Sequence, residues 1–109
     1  MLSLLLACAG DVEGASRIEV AWEIFDAGEV VGCPSGWAVR ARIEPDVDER
    51  FACDAGTGLL DPAPLGLLDV RVDLLDASDA IVDTEIVGVG PMGDGGEAQA
   101  FASFVLPEG

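Results

Sequence analysis

The clearest structural signal in the chain is the stretch Leu68-Asp-Val-Arg-Val-Asp-Leu74, in which apolar and charged side chains alternate. Successive side chains of a strand point to opposite faces, so this alternation predicts a half-buried strand. Its Leu and Val residues should face a core, and its charged residues, including Asp73, should face solvent. Asp76-Ala-Ser-Asp79 then predicts a turn, and residues 81–89 are expected to return as the antiparallel partner.

Similar alternation marks further strands on both sides of this hairpin. They are predicted at residues 17–24, 37–43, 50–53 and 98–106, with 29–32 as a seventh strand if it pairs. Residues 54–66 and 88–96 are rich in Gly and Pro and are predicted loops, with a hairpin turn at Gly93–Gly96. Trp22 and Trp37 fall on inward positions, which favours a place in the core over a sugar-stacking platform. The pattern predicts an all-β fold, a single small antiparallel β-sandwich of six to seven strands.

The segment Pro64-Leu-Gly66, followed by the strand from Leu67 to Val72 and then by Asp73-Leu-Leu-Asp-Ala77, carries a resemblance. It resembles the proline–glycine turn that leads into a strand in Ig-like and transthyretin-like sandwich modules of bacterial surface proteins. The aromatic residue usual in that strand is replaced by Leu68. The resemblance covers about 15 residues and implies a fold, with little about function, because one fold serves many functions.

The size and charge of the chain limit what it can bind. At 109 residues, half of them hydrophobic, it has room for one domain with a real core. Twenty-one acidic residues against five Arg give a formal charge of −16, which repels nucleic acid and anionic headgroups. No nucleic-acid partner is therefore expected. The charge itself is open to three interpretations: solubility, adaptation to a salty medium, or binding of a divalent cation.

The N-terminal residues 1–7 are apolar but too few to span a bilayer, which needs about 20 apolar residues. Leu5-Leu6-Ala7-Cys8 resembles the lipobox of bacterial lipoproteins, although Leu6 is larger than the residue usual there. The resemblance implies that residues 1–7 are the end of a signal peptide, that Cys8 carries the lipid, and that residues 8–16 form a tether. The sandwich would then occupy residues 17–109. No Lys or Arg precedes the apolar run, which indicates a signal starting upstream of Met1. The alternative is a buried N-terminal strand with an incidental Cys8.

The count of three cysteines agrees with lipidation. One disulfide in an exported chain leaves one cysteine over, and a lipid on Cys8 accounts for it. Cys33 and Cys53 then form the natural pair, and closing their loop would stabilise the fold by about 3 kcal/mol. A metal site is the alternative, but two thiols without any His and without a Cys-x-x-Cys spacing are a poor ligand set.

The residue types exclude most catalytic mechanisms. The chain has no His to act as a base near neutral pH, no Lys for a Schiff base, and no phosphate-binding Gly-rich loop that ends in Lys. We expect no enzyme activity and no cofactor. The acidic loop with Asp46, Asp48 and Glu49 is a weak candidate for calcium, which takes six to eight oxygens.

The expected function follows from these points. The chain is predicted to be a non-enzymatic lipoprotein of the cell envelope, held in the outer or inner membrane by its lipid and facing the periplasm or the exterior. Its sandwich would act as a structural or interaction module, with envelope proteins or glycans as partners. The alternative is a ligand-binding sandwich module for calcium or carbohydrate.

Overall fold

The computed structural model describes residues 16–107, which form eight strands and one 3₁₀ turn. They make two packed sheets, which confirms the predicted all-β sandwich. The elements, in chain order, are β1 (Ser16–Asp26), β2 (Glu29–Val31), β3 (Ala38–Ile43), β4 (Val47–Ala52), the 3₁₀ turn (Cys53–Ala55), β5 (Thr57–Ala63), β6 (Gly66–Leu75), β7 (Ile81–Met92) and β8 (Glu97–Val105).

The first sheet is built around β1, the strand with neighbours on both edges. One edge pairs with β8 in parallel over the whole register from Arg17↔Glu97 to Phe25↔Val105. The other edge pairs antiparallel with β5 and then with β2. The β1–β2 hairpin turns through Ala27 and Gly28, both with positive φ, as a two-residue type I′ turn requires.

The second sheet is fully antiparallel, in the order β4-β3-β6-β7. The predicted hairpin of β6 and β7 is confirmed, with Val70 opposite Val87 in its middle. The Asx-type turn between them is held by Asp76, whose Oδ1 accepts the N–H groups of Ser78 and Ala80.

The core lies between the sheets and is formed by the inward residues that the alternation predicts. Ile18, Val20 and Ile24 of β1 face Val70, Val72 and Leu74 of β6, and all are at most 2% exposed. Ala100, Ala102 and Phe104 of β8 are fully buried as well. Burial of this apolar surface supplies most of the free energy of folding.

Three of the expected boundaries were wrong. Residues 57–63, expected as part of a loop, form strand β5, and β7 continues to Met92. The strand expected at residues 50–53 spans Val47–Ala52 instead. These changes lengthen the sheets and raise the strand count to eight in residues 16–107.

The Gly93–Gly96 turn also differs from its prediction. It is a tight turn closed by a hydrogen bond from the Gly96 N–H to the Gly93 carbonyl oxygen. It carries the chain from β7 in the second sheet to β8 in the first. It is therefore a crossing between sheets and not a hairpin within one.

The disulfide between Cys33 and Cys53 joins the two sheets at one end of the sandwich. Cys33 follows β2 of the first sheet, and Cys53 follows β4 of the second. The Trp22 indole N–H donates to the Cys53 carbonyl oxygen at 2.8 Å, which fixes the bridge against the core.

The sandwich has two distinct ends. At the Ser16 end, the Ser16 hydroxyl donates to the Pro64 carbonyl oxygen and the Arg17 N–H donates to Gly96. At the other end, called the disulfide end, lie the bridge, the segment 34–37 and the turn between β6 and β7. Because β8 runs parallel to β1, the chain leaves β8 at the disulfide end.

Candidate functional site

A groove lies beside the disulfide bridge, on the side of β3 and β4. Its volume is about 420 Å³, within the size range of small-ligand pockets. It is lined by aromatic, charged and small residues: Pro34, Gly36, Trp37, Ala38, Arg50, Phe51, Ala52 and Asp54. We call it the Trp37 groove.

The groove exists because small side chains stand where two strands end. Ala38 of β3 and Ala52 of β4 are direct cross-strand partners, and both line the groove. Gly36 adds no side chain before β3. The depression is therefore bordered by larger residues on either side.

Trp37 is held in place through its backbone. Its N–H donates to the Pro34 carbonyl oxygen at 3.3 Å, and its carbonyl oxygen accepts the Cys53 N–H at 3.0 Å. The side chain is half-buried and packs against the core. The prediction that both Trp residues belong to the core is thus confirmed for Trp22, which is 6% exposed, whereas Trp37 combines a core contact with a place in the groove.

Phe51 and the charged residues complete the groove. Phe51 stacks on Trp22, with the ring centroids 6.1 Å apart. Arg50 is exposed and forms an ion pair with Asp79 of the neighbouring turn. Asp54 is exposed in the 3₁₀ turn. The groove therefore has a guanidinium and a carboxylate at its rim, whereas the Phe51 ring points to the core.

The outer face of the second sheet carries a separate charge network around Asp73. Asp73 lies on the outer face, as predicted, but is only 1% exposed. Its carboxylate accepts hydrogen bonds from Arg42 Nη2 at 2.9 Å, Arg71 Nε at 3.1 Å and Thr84 Oγ1 at 2.7 Å. The prediction of a solvent-facing Asp73 was wrong because side chains of three neighbouring strand positions cover it.

Two opposing effects set the pKa of Asp73. Burial raises the pKa, but the hydrogen bonds from Thr84, Arg71 and Arg42 outweigh burial and hold the pKa below its ordinary value. A buried charge with such partners is a structural feature of the sheet, and Asp73 does not line the Trp37 groove.

Each of the five Arg, all within residues 16–107, has an acidic partner. Arg17 lies near Asp61 and Glu97, and Arg40 pairs with Asp48 at 2.8 Å. The others pair with Asp73 or Asp79. The positive charges are thus already neutralised, which leaves no basic patch in the described residues that an anionic polymer could use.

The calcium candidates do not converge in the structure. Asp48 and Glu49 are adjacent in β4 and therefore point to opposite faces. Asp48 is held by Arg40, whose hydrogen bonds lower the pKa of that carboxyl. Asp46 lies in the turn before β4. Within residues 16–107 no three Asp, Glu, His or Cys side chains are grouped as a metal site would need.

The lipidation candidate Cys8 lies outside the described residues, as do the predicted signal peptide and nearly all of the predicted tether. Cys33 and Cys53 are bonded to each other as predicted. Within residues 16–107 no helix is long and apolar enough to cross a membrane.

Sequence reasoning did not identify the Trp37 groove. The alternation pattern places Trp37 on a strand but does not show that Arg50, Phe51 and Asp54 lie close to it. The available signal was the disulfide itself, since a Cys33–Cys53 bridge must bring residues 34–37 close to residues 50–54.

Comparison with known proteins finds no matching family model, no matching curated protein and no matching solved structure.

Proposed function

We propose that this chain is an exported, lipid-anchored protein of the cell envelope whose sandwich is a non-enzymatic structural or interaction module. The membrane would hold it through acyl chains on Cys8. Envelope proteins or glycans would be its partners, met by the exposed parts of the sandwich.

The Cys33–Cys53 bond is the observation that carries this proposal. Disulfides form and persist in exported proteins and are rare in the reducing cytosol. The bond also uses two of the three cysteines, so that Cys8 is left within the lipobox-like Leu5-Leu6-Ala7-Cys8.

The arrangement of the two ends agrees with a tether. β1 begins at Ser16, eight positions after Cys8, at the end of the sandwich opposite the disulfide. An anchor at Cys8 would therefore attach to the Ser16 end. The Trp37 groove would lie at the end away from the membrane, where a partner can reach it.

The proposal that the module is not an enzyme rests on its residue types. The chain has no His and no Lys, and each Arg is engaged in an ion pair. Catalysis through a His base, a Lys Schiff base or a Lys-containing phosphate loop needs a residue type that the chain lacks.

The anchor is tested by expressing the full chain from its native reading frame in a bacterial host. The protein should enter the detergent phase on phase separation and carry acyl mass on Cys8, since several acyl chains give durable binding. Cys8→Ser should move it to the aqueous phase. Ser3→Ala, in the same apolar segment but outside the lipobox, should leave partitioning unchanged.

Continued detergent partitioning of Cys8→Ser would contradict the anchor. Two free thiols at Cys33 and Cys53 in protein taken from the cell envelope would remove the observation on which the proposal rests.

A further inference from the structure

We infer that the outer face of the first sheet, towards the disulfide end, is the docking surface for a basic amphipathic helix of a partner protein. This gives a partner class to the interaction module proposed above and rests on that proposal only for where the partner is met.

The surface is a contiguous apolar patch on three neighbouring strands. In β1 and β8 every second residue points into the core, as Val20 and Ala102 do, so the residues between them point outward. Near the disulfide end most of these outward residues are apolar. We call this surface the Phe101 face and define it by Ala21, Glu23, Phe25, Val30, Phe101 and Val105.

The strand register brings the apolar side chains of the Phe101 face together. Phe25 lies opposite Val30 on one side and Val105 on the other, and Phe101 lies opposite Ala21. Val30, Val105 and Phe101 are 61%, 59% and 46% exposed, so no other part of the described chain covers them. Single exposed apolar residues are ordinary on a protein surface, whereas a contiguous patch with a polar rim marks an interaction site.

The charge at the Phe101 face is acidic. Glu23 stands among the apolar residues, and Asp26 and Glu29 flank them at the β1–β2 turn. None of the three forms an ion pair within the described part of the chain. Arg17, the only Arg of β1, β2 and β8, lies at the Ser16 end. The net charge of −16 adds a long-range field of the same sign. The face therefore complements a partner that is both apolar and positively charged.

The backbone of the sheet determines the form of the partner. The N–H and C=O groups of a sheet bond within its plane, and β1 has strand neighbours on both edges. The face therefore offers side chains only, and a segment lying on it must satisfy its own backbone hydrogen bonds. An α-helix does so, and it can present an apolar stripe flanked by Lys or Arg. The stretch from Ala21 to Phe25 is about 13 Å long, which matches about two and a half helical turns.

Two other occupants fit this surface less well. A second copy would bring the same acidic face and another charge of −16 against this one. A lipid surface would have to bury the carboxylate of Glu23 without a partner, which is costly. The patch also lies away from the Ser16 end, where the proposed anchor attaches. Charge complementarity therefore favours a basic helix over both.

The test uses the full chain with Cys8→Ser, which carries no lipid and needs no detergent that would compete for an amphipathic peptide. The probe is a helical peptide of Leu and Lys (LKKLLKLLKKLLKL), whose Leu residues form one stripe. It should bind at physiological salt with a dissociation constant of about 10 μM or tighter by calorimetry. A scrambled peptide of the same composition, with Leu spread around the helix, should bind at least about tenfold more weakly. A peptide with Glu in place of every Lys should not bind.

Matched variants locate the site. Phe101→Thr and Glu23→Gln should each weaken binding of the helical peptide by at least about fivefold. Ile86→Thr, at an exposed apolar residue of the second sheet, and Glu49→Gln, at an exposed Glu of β4, should leave the affinity within about twofold. A thermal melt of each variant shows that it is folded. Glu23→Gln keeps the size of the side chain and tests the face even if Phe101→Thr unfolds.

Lack of binding by the helical peptide would overturn the inference, and so would equal affinity for the scrambled peptide. Binding that survives both Phe101→Thr and Glu23→Gln would overturn it as well. None of these results would affect the anchor, because detergent partitioning of the wild-type chain is an independent readout.

Two further results would overturn the inference by assigning the Phe101 face to another occupant. A dimer in sedimentation that Phe101→Thr dissociates would assign the face to a second copy. Binding of the Cys8→Ser chain to phosphatidylcholine vesicles, abolished by Phe101→Thr, would assign it to a lipid surface.

Discussion

The carboxylate of Asp83 on β7 accepts a hydrogen bond at 2.8 Å from the backbone N–H of Val105 on β8. The two strands are edge strands of different sheets and are not paired with each other. A side-chain hydrogen bond therefore joins them where a backbone ladder does not. The other oxygen of Asp83 accepts the Thr84 N–H at 2.9 Å. One acidic residue thus closes the side of the sandwich where the sheets meet.

Asp83→Ala should lower the free energy of unfolding by about 1 kcal/mol, because it removes hydrogen bonds to a charged acceptor in a solvated place. It should also promote self-association, since the free N–H of an edge strand can pair with another chain. Urea denaturation and sedimentation measure these effects. Glu85→Ala, two residues along the same strand, should change neither; equal effects in both variants would contradict the role of Asp83.

Asp73→Asn should lower the free energy of unfolding at neutral pH by about 3 kcal/mol, because it leaves Arg42 and Arg71 without a carboxylate partner. The pKa of Asp73 is lowered on folding, so its contribution is full above the unfolded pKa of about 3.9 and is lost as the pH falls through the lower folded pKa. The difference between wild type and Asp73→Asn should therefore shrink below about pH 4.

Chemical denaturation as a function of pH measures this difference. Asp69→Asn is the matched control, on the same strand and face but exposed, and should differ little from wild type at any pH. A constant difference between wild type and Asp73→Asn from neutral pH to pH 2 would contradict the role of Asp73.

Gly58→Ala should destabilise the fold by about 1–3 kcal/mol through overpacking. A Cβ at position 58 would lie 2.5 Å from three ring carbons of Phe51, and that ring is stacked on Trp22. Gly88→Ala is the control, because its Cβ would meet nothing within 4 Å, and it should be neutral or slightly stabilising. Equal melting temperatures for the two variants would show that Phe51 moves aside freely.

Sodium chloride should raise the melting temperature of the full chain, because salt shortens the screening length from about 10 Å at 0.1 M to about 3 Å at 1 M and weakens self-repulsion. Calcium chloride at equal ionic strength should raise the melting temperature by the same amount, because Asp48 and Glu49 point to opposite faces of β4 and do not form a calcium site together. A saturable additional effect of calcium, abolished by Asp48→Asn, would contradict this.

Alternation with a period of two predicted the strands that bury one of their two faces in the core. β1, β3, β6 and β8 were found in this way, because core residues such as Val20 and Val72 recur at every second position. β5 was missed because Thr57-Gly-Leu-Leu-Asp-Pro-Ala63 contains Gly and Pro and two adjacent Leu. It pairs with β1 on one edge only, where Pro62 is tolerated.

The candidate site was less predictable than the fold, because it depends on which strands become neighbours. The sequence places Asp73 on an outer face, yet its burial comes from Arg42 on β3 and Thr84 on β7. The Trp37 groove likewise needs β3 and β4 side by side, with Ala38 opposite Ala52. Such contacts follow from topology, which alternation alone does not fix.

The parallel pairing of β1 with β8 also determines how the sandwich responds to a mechanical pull. The chain enters β1 at one end and leaves β8 at the other, so tension between Ser16 and Val105 slides the two strands along each other. The evenly spaced hydrogen bonds of this parallel ladder then share the force instead of opening one after another. A domain stretched between a membrane and a partner would resist extension best in this direction.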